Sequence, residues 1–174
     1  MAIDIDLNYY SLSEGEKFII DSNVWIYLYS PFSNNNYNYQ NFLATAHHKN
    51  CKLFVNSQII SEYINVICRT AYNSYLRNNG LNSRNFAFKR DYQQTLDFKH
   101  HYQLACESVK NDILSQSKLL PIKLWHVRKS LDSYHQLNDY NDLVYSKMLT
   151  NNLKIVSHDK DFGNHPEDIV WLHY

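Results

Sequence analysis

The stretch Lys17-Phe18-Ile19-Ile20-Asp21-Ser22-Asn23-Val24-Trp25-Ile26-Tyr27-Leu28-Tyr29 decides how the chain is read. Phe18, Ile19 and Ile20 form a short apolar run rich in β-branched residues, the pattern of a buried strand. Asp21 closes that run. Ser22 or Asn23 then caps a helix over Val24–Tyr29, which must stop before Pro31 because proline excludes the helical conformation for the residue preceding it.

Outward from this strand–helix unit the same alternation recurs. Residues 1–16 read as a polar leader and Phe32–Tyr39 as an Asn-rich loop, followed by a helix over Asn41–Lys49. Lys52–Asn56 is a second strand. Ile60, Ile64, Ile67 and Ala71 recur at helical spacing and place Glu62 near the start of a helix. Arg77–Arg84 reads as a turn, and Phe88, Tyr92, Leu96, Tyr102, Cys106, Val109 and Ile113 share one face of a long amphipathic helix. Leu119–Ile122 is a short strand and Leu124–Leu137 a helix. Asn141 caps a helix through Asn151 with Asp142 in its first turn. Lys154–Ser157 is a strand delivering Asp159, and Ile169–Leu172 is the last. Strands alternating with helices predict one three-layer α/β/α domain over residues 1–174, with a mostly parallel sheet and an inserted helical segment at about 73–118.

With 174 residues, the chain is long enough to build its own core without disulfides. Its three cysteines, Cys51, Cys68 and Cys106, form no C-x-x-C pair and, with no basic leader at the N-terminus, read as reduced thiols of a cytoplasmic protein. No apolar run is long enough to span a bilayer. The formal net charge is zero, so a nucleic-acid partner would have to be steered by local basic patches.

The acids carry the chemistry. Asp21 and Asp159 each close a strand, and in an open α/β sheet ligands bind beyond the carboxyl ends of the strands. Glu62 and Asp142, in the first turns of helices, belong to the same rim, so four acids from remote sequence converge. Two carboxylates about 5 Å apart repel by roughly 3 kcal/mol at an effective dielectric near 20. Four of them require protonation or a cation. Oxygen ligands without His or Cys favour Mg2+ or Mn2+ over zinc, and Mg2+ directs the chemistry to phosphodiesters.

Each acid also has an ordinary role: Asp21 as a helix cap, Glu62 and Asp142 as dipole partners, Asp159 and Asp161 as turn formers. Only their joint arrangement favours a metal site. Asp139, three residues before Asp142, is a supporting candidate. The adjacent pairs His47-His48 and His100-His101 lack ligand spacing and read as solvated surface. His158, beside Asp159, could touch a phosphate or face outward from its loop. Arg84, Lys89, Arg90, Lys99, His100 and His101 make the inserted segment basic, interleaved with Tyr92 and Phe98. That suits either an RNA grip or a solvated helix face.

The same residues carry a family resemblance. Phe18–Leu28 resembles the opening of PIN-domain proteins, where an apolar strand runs into Asp-(Thr/Ser)-Asn. Val55–Tyr63 resembles their second block, with its acid at Glu62. Asn141–Leu149 resembles the third and Ile155–Phe162 the last, (Thr/Ser)-x-Asp-x-Asp-Phe. The blocks occur in family order, and within that family the match is to VapC-type toxins of toxin–antitoxin pairs. The resemblance implies a Mg2+-dependent endoribonuclease, usually dimeric, restrained by a small antitoxin. It implies Asp21, Glu62 and Asp142 as metal ligands with Asp159 as a fourth acid, and Ser22, Asn23 or Ser157 as their hydrogen-bonding supports. The competing expectations are a PIN-like module that binds RNA or protein without cutting it, and a phosphatase built on Asp4 and Asp6.

Overall fold

A computed structural model describes residues 2–133, 139–149, 152–164 and 168–174. Six strands form one sheet in the order β1-β6-β5-β2-β3-β4, and every described pairing is parallel. The strands are β1 (Ile3–Asp6), β2 (Lys17–Ile20), β3 (Lys52–Val55), β4 (Lys118–Leu119), β5 (Lys154–Val156) and β6 (Val170–His173). The helices are α1 (Ser22–Tyr29), α2 (Tyr39–His48), α3 (Ser57–Asn78), α4 (Leu96–Ser108), α5 (Leu124–Asp132) and α6 (Tyr140–Met148). The expected three-layer α/β/α architecture is the one observed.

The centre of the sheet explains its stability. Phe18, Ile19 and Ile20 of β2, and Ile155 and Val156 of β5, have no exposed surface, and Val24, Trp25, Tyr145 and Leu172 pack around them. Burying each such side chain is worth about 1.5–3 kcal/mol. Parallel strands covered on both faces must be apolar on both, so these segments read as unbroken hydrophobic runs. The chain leaves β2 towards β3 and β4 on one side, then returns to β5 and β6 on the other. The switch between the two directions falls between β2 and β5, where Ile20 is in register with Val156.

Several local expectations are corrected. Residues 3–6 of the leader form β1, an edge strand whose Ile3–Asp6 register follows Val170–His173. Two isoleucines alternating with two aspartates were too brief a pattern to stand out. Asp4 bonds His173 at 2.7 Å and Asp6 accepts from the Asn8 backbone at 2.8 Å, so both acids serve the edge. β4 is shorter than Leu119–Ile122 and starts at Lys118.

The helix expected through Phe88–Ile113 is broken. A 3-10 turn over Tyr92–Gln94 precedes Thr95, whose Oγ1 accepts from the Phe98 N–H at 3.1 Å and starts α4. Val109–Ile113 then widens into a π-helical turn. Leu96 and Tyr102 consequently face solvent, while Tyr92 is buried against Ala71, Tyr72 and Leu76 of α3 in a second small core. α3 runs to Asn78, past both the expected start of the insertion and the expected turn at Arg77. The helices expected through Leu137 and Asn151 end earlier, at Asp132 and Met148, with Ser133 and Leu149 as their C-caps; Leu137 and Asn151 themselves lie outside the described residues.

Candidate active site

Asp21 follows β2 directly, and its backbone N–H continues the ladder to Val156 of β5 at 3.0 Å. The cap of α1 is Asp21 itself, not Ser22 or Asn23: its Oδ1 accepts from the Ser22 N–H at 2.7 Å. Its other oxygen accepts from Ser157 Oγ at 2.6 Å and Asn23 Nδ2 at 2.8 Å. Asn23 also donates to Ser157 Oγ at 3.0 Å and accepts from the His158 N–H at 3.0 Å. Ser157 Oγ accepts in turn from the Asp159 N–H at 3.0 Å. Asp21-Ser22-Asn23 and Ser157-His158-Asp159 are thus stitched together across the switch point, where ligands of such sheets bind.

Asp142 lies in the first turn of α6, as expected, but Asp139 rather than Asn141 is the cap, accepting from the Asn141 N–H at 2.8 Å. Carboxylate oxygens of Asp142, Asp159 and Asp161 lie within 4.8 Å of one another. The Asp161 N–H donates to Asp159 Oδ1 at 2.9 Å, which ties the last two together. Asp161, expected only in support, therefore stands in the tight trio. Asp21 and Glu62 stand outside it, yet within electrostatic range. Glu62 sits in the second turn of α3, not the first, because that helix begins at Ser57.

Crowding shifts the protonation of these groups. Burial, then the charges of Glu62 and Asp159, push Asp21 up to about 6 against the pull of Ser157 and Ser22. Burial, then Asp159, Asp139, Asp21 and Asp161, push Asp142 up to about 7. Glu62 is raised by burial and by Asp139 and Asp159, with the Ser22 hydroxyl acting the other way. Two acids from opposite sides of the switch point are therefore only partly ionised near neutrality unless a cation balances them.

One further residue belongs here that the sequence did not flag. Tyr145 is 1% exposed, and its hydroxyl is buried without a hydrogen-bond partner among the described residues. Asp21, Glu62, Asp142 and Asp139 all act on it electrostatically and, after burial, raise its pKa. A buried hydroxyl left unpaired beside four acids is the kind of orphan that a bound ion or its water would satisfy. The donor set is made of hard oxygens throughout, so the residues fit Mg2+ or Mn2+. A signal existed in the sequence, since Tyr145 lies three residues after Asp142 on one helix, but residue type alone does not tie a tyrosine to an acid cluster.

The basic candidates lie apart from these contacts. Arg84, Lys89 and Arg90 are on the exposed segment between α3 and α4. Arg90 is committed to Asp91 at 2.7 Å and to the Asn85 carbonyl at 3.2 Å. His158 does not face outward: it is half-buried, packs on Tyr27 and Tyr37, and its Nδ1 lies 3.2 Å from the Tyr39 hydroxyl. Nor is His101 simply solvated, since its ring stacks on Phe32 with centroids 5.6 Å apart.

No known family profile matches this sequence, and no curated protein is similar to it. Solved structures are. PAE2754 from Pyrobaculum aerophilum superposes with a TM-score of 0.54 at 13% identity, covering 94% of this chain and 88% of that one. VapBC2 from Rickettsia felis, solved bound to a DNA fragment from its promoter, superposes with a TM-score of 0.50 at 14% identity, covering 89% and 97%. The fold is therefore the three-layer α/β/α PIN-like fold that these structures share, as the four sequence blocks led one to expect. Among the described residues, no helix is long and apolar enough to cross a membrane.

Proposed function

We propose that this chain is a divalent-metal-dependent endoribonuclease and the toxin of a toxin–antitoxin pair. The observation that carries the reading is the convergence of Asp142, Asp159 and Asp161 within 4.8 Å, backed by Asp21 through Ser157. The fold shared with VapBC2 supports it, as does that protein's pairing with a partner in its crystal structure, carried here as an inference.

Asp142, Asp159 and Asp161, with Asp21 and Glu62 alongside, would hold Mg2+ or Mn2+. When bound, the ion supplies a lowered pKa for attacking water and balances charge on the phosphorane and leaving oxygen. The chain's own part is positional. Ser157 and Asn23 hold Asp21 in one rotamer, so its carboxylate needs no reorganisation as charge develops. The Asp159–Asp161 link fixes the exposed side of the trio. Asp142, raised by burial and by its acidic neighbours while no ion balances them, would be drawn into its ionised form as a ligand when the ion binds.

The test is cleavage of RNA by purified protein with Mg2+ or with EDTA, and with the Asp21→Asn and Asp142→Asn variants. Metal-dependent cleavage lost in both variants is expected. Cleavage unchanged in EDTA, or retained by Asp21→Asn, would falsify the proposal. A folded protein that neither cuts RNA nor binds Mn2+ would be a binding module instead. A short upstream reading frame encoding a DNA-binding partner, co-purifying as a complex, would identify the antitoxin. Self-association into a homodimer is the accompanying expectation, checked by sedimentation.

A further inference from the structure

We propose that Tyr37, backed by Tyr27 and His158, is a stacking platform for an unpaired base of single-stranded RNA, reached through a groove whose phosphate contact is Arg69. The proposal rests on the ribonuclease reading and names how that site would take its substrate.

The platform adjoins the acids by direct chain connection. His158 immediately precedes Asp159 of the trio, and its ring packs against Tyr37 with centroids 4.4 Å apart. Tyr27 lies 4.5 Å from Tyr37 and 5.2 Å from His158, so three rings form one patch. Tyr39, fully buried, supports it from below through His158 Nδ1 at 3.2 Å. Tyr37 is 38% exposed, so the patch has an open face.

The backbone is built to present that ring. Tyr37 and Asn38 are consecutive non-glycine residues in the left-handed region, with φ of 48° and 67°. A bulky residue there is an outlier that something must hold in place. The Asn35 and Asn36 side chains do so, accepting from the Tyr37 and Asn38 N–H groups at 2.8 and 3.0 Å.

Two cavities join the platform to the acids. One, of about 450 Å³, runs along α3 past Glu62, Asn65 and Arg69 and reaches Asn141, the neighbour of Asp142. The other, of about 310 Å³, is lined by Tyr27, Tyr37 and Asn34. Val66 and Thr70 wall both, so the two adjoin along α3. Arg69 is exposed in the first, its guanidinium 4.1 Å above the Phe88 ring, with no carboxylate partner among the described residues. Glu62 and a guanidinium in one cavity and aromatic faces in the adjoining one suit a strand that alternates phosphate and base. A folded protein partner would not need that alternation.

The experiment uses the full chain carrying Asp142→Asn, in Mg2+, and a single-stranded RNA with 2-aminopurine as the stacking reporter. Binding should quench the fluorophore, and the same RNA held in a duplex should bind without quenching. Tyr37→Gly suits the left-handed backbone and removes only the ring, so it should fold and weaken binding about tenfold. Tyr37→Phe should restore binding. Arg69→Gln should weaken binding to every sequence and lower the salt slope by about one. Absence of quenching, or Tyr37→Gly binding like its parent, overturns the platform; an unchanged salt slope overturns the role of Arg69. If the unsubstituted chain cuts no RNA while quenching still depends on Tyr37, the ribonuclease reading fails and the platform stands. If it cuts RNA but Tyr37→Gly binds and quenches like its parent, the platform alone fails.

Discussion

Ser157 Oγ donates to Asp21 Oδ2 at 2.6 Å, joining the carboxyl ends of the two central strands across 136 positions of sequence. The same oxygen accepts from Asn23 and from the Asp159 N–H. One hydroxyl therefore sets the rotamer of the most buried acid and the turn that carries an acid of the exposed pair.

Replacing it is the sharpest probe of how the site is held. Ser157→Ala leaves two N–H groups without their acceptor and should cost about 1–3 kcal/mol of stability. Loss of a support behind a metal ligand should also lower Mn2+ affinity by about 10- to 100-fold. Calorimetry on the folded variant measures the second effect; an unchanged affinity would exclude Ser157 from positioning Asp21.

The raised acids set the pH dependence of the metal-free protein. An unfolded Asp ionises near pH 4. Folded Asp21 and Asp142 keep their protons up to about 6 and about 7. Between pH 4 and pH 7 these two sites therefore bind more protons in the native state than in the unfolded one, so their contribution to stability falls as pH rises. Asp142→Asn should flatten that decline and stabilise the metal-free protein at pH 8 by about 1–3 kcal/mol. Added Mg2+ should restore the parent at high pH, by an amount that grows with its concentration. Denaturant melts of parent and variant across pH 4–8 decide it, and an Asp142→Asn profile with the parent's slope contradicts the crowded-acid picture.

Tyr145→Phe removes a buried hydroxyl that has no partner among the described residues. Without metal the variant should be more stable by about 1 kcal/mol, because an unsatisfied polar group is relieved. With Mn2+ the advantage should shrink or reverse. Thermal melts with and without the ion provide the comparison; destabilisation in both conditions means the hydroxyl has a structural partner.

Gly163 sits where a Cβ would lie 2.8 Å from Trp171 Cζ3. Trp171 is buried and its Nε1 donates to the Ser157 carbonyl at 2.9 Å, so the ring cannot retreat without disturbing the site. Gly163→Ala should cost about 1–3 kcal/mol and reduce Mn2+ affinity along with it. A stable variant with intact metal binding would separate Trp171 from the centre.

Much of the architecture was legible because parallel strands buried on both faces must be apolar runs, as in Phe18–Ile20 and Ile155–Val156. Asp21 was legible for the same reason, since it ends an apolar run directly, whereas Asp159 follows Ser157 and His158 and lies three residues beyond β5. Other features were hidden. β1 alternates too briefly to signal a strand, and its pairing depends on β6 at the other end of the chain. The break at Thr95 was masked by residues that keep helical spacing across it, although Leu96 proves to be exposed.

By itself, the sequence determined the layer architecture, the acids that end the central strands and the four blocks that resemble PIN-domain proteins, because these follow from local periodicity and residue type. Tertiary structure alone decided that Asp161 joins Asp142 and Asp159 while Glu62 stands back, that the Tyr145 hydroxyl has no partner among the described residues, and that Tyr37 packs on His158 beside the acids. Distances between side chains on different elements depend on how those elements cross and pack, and spacing along the chain holds no record of that.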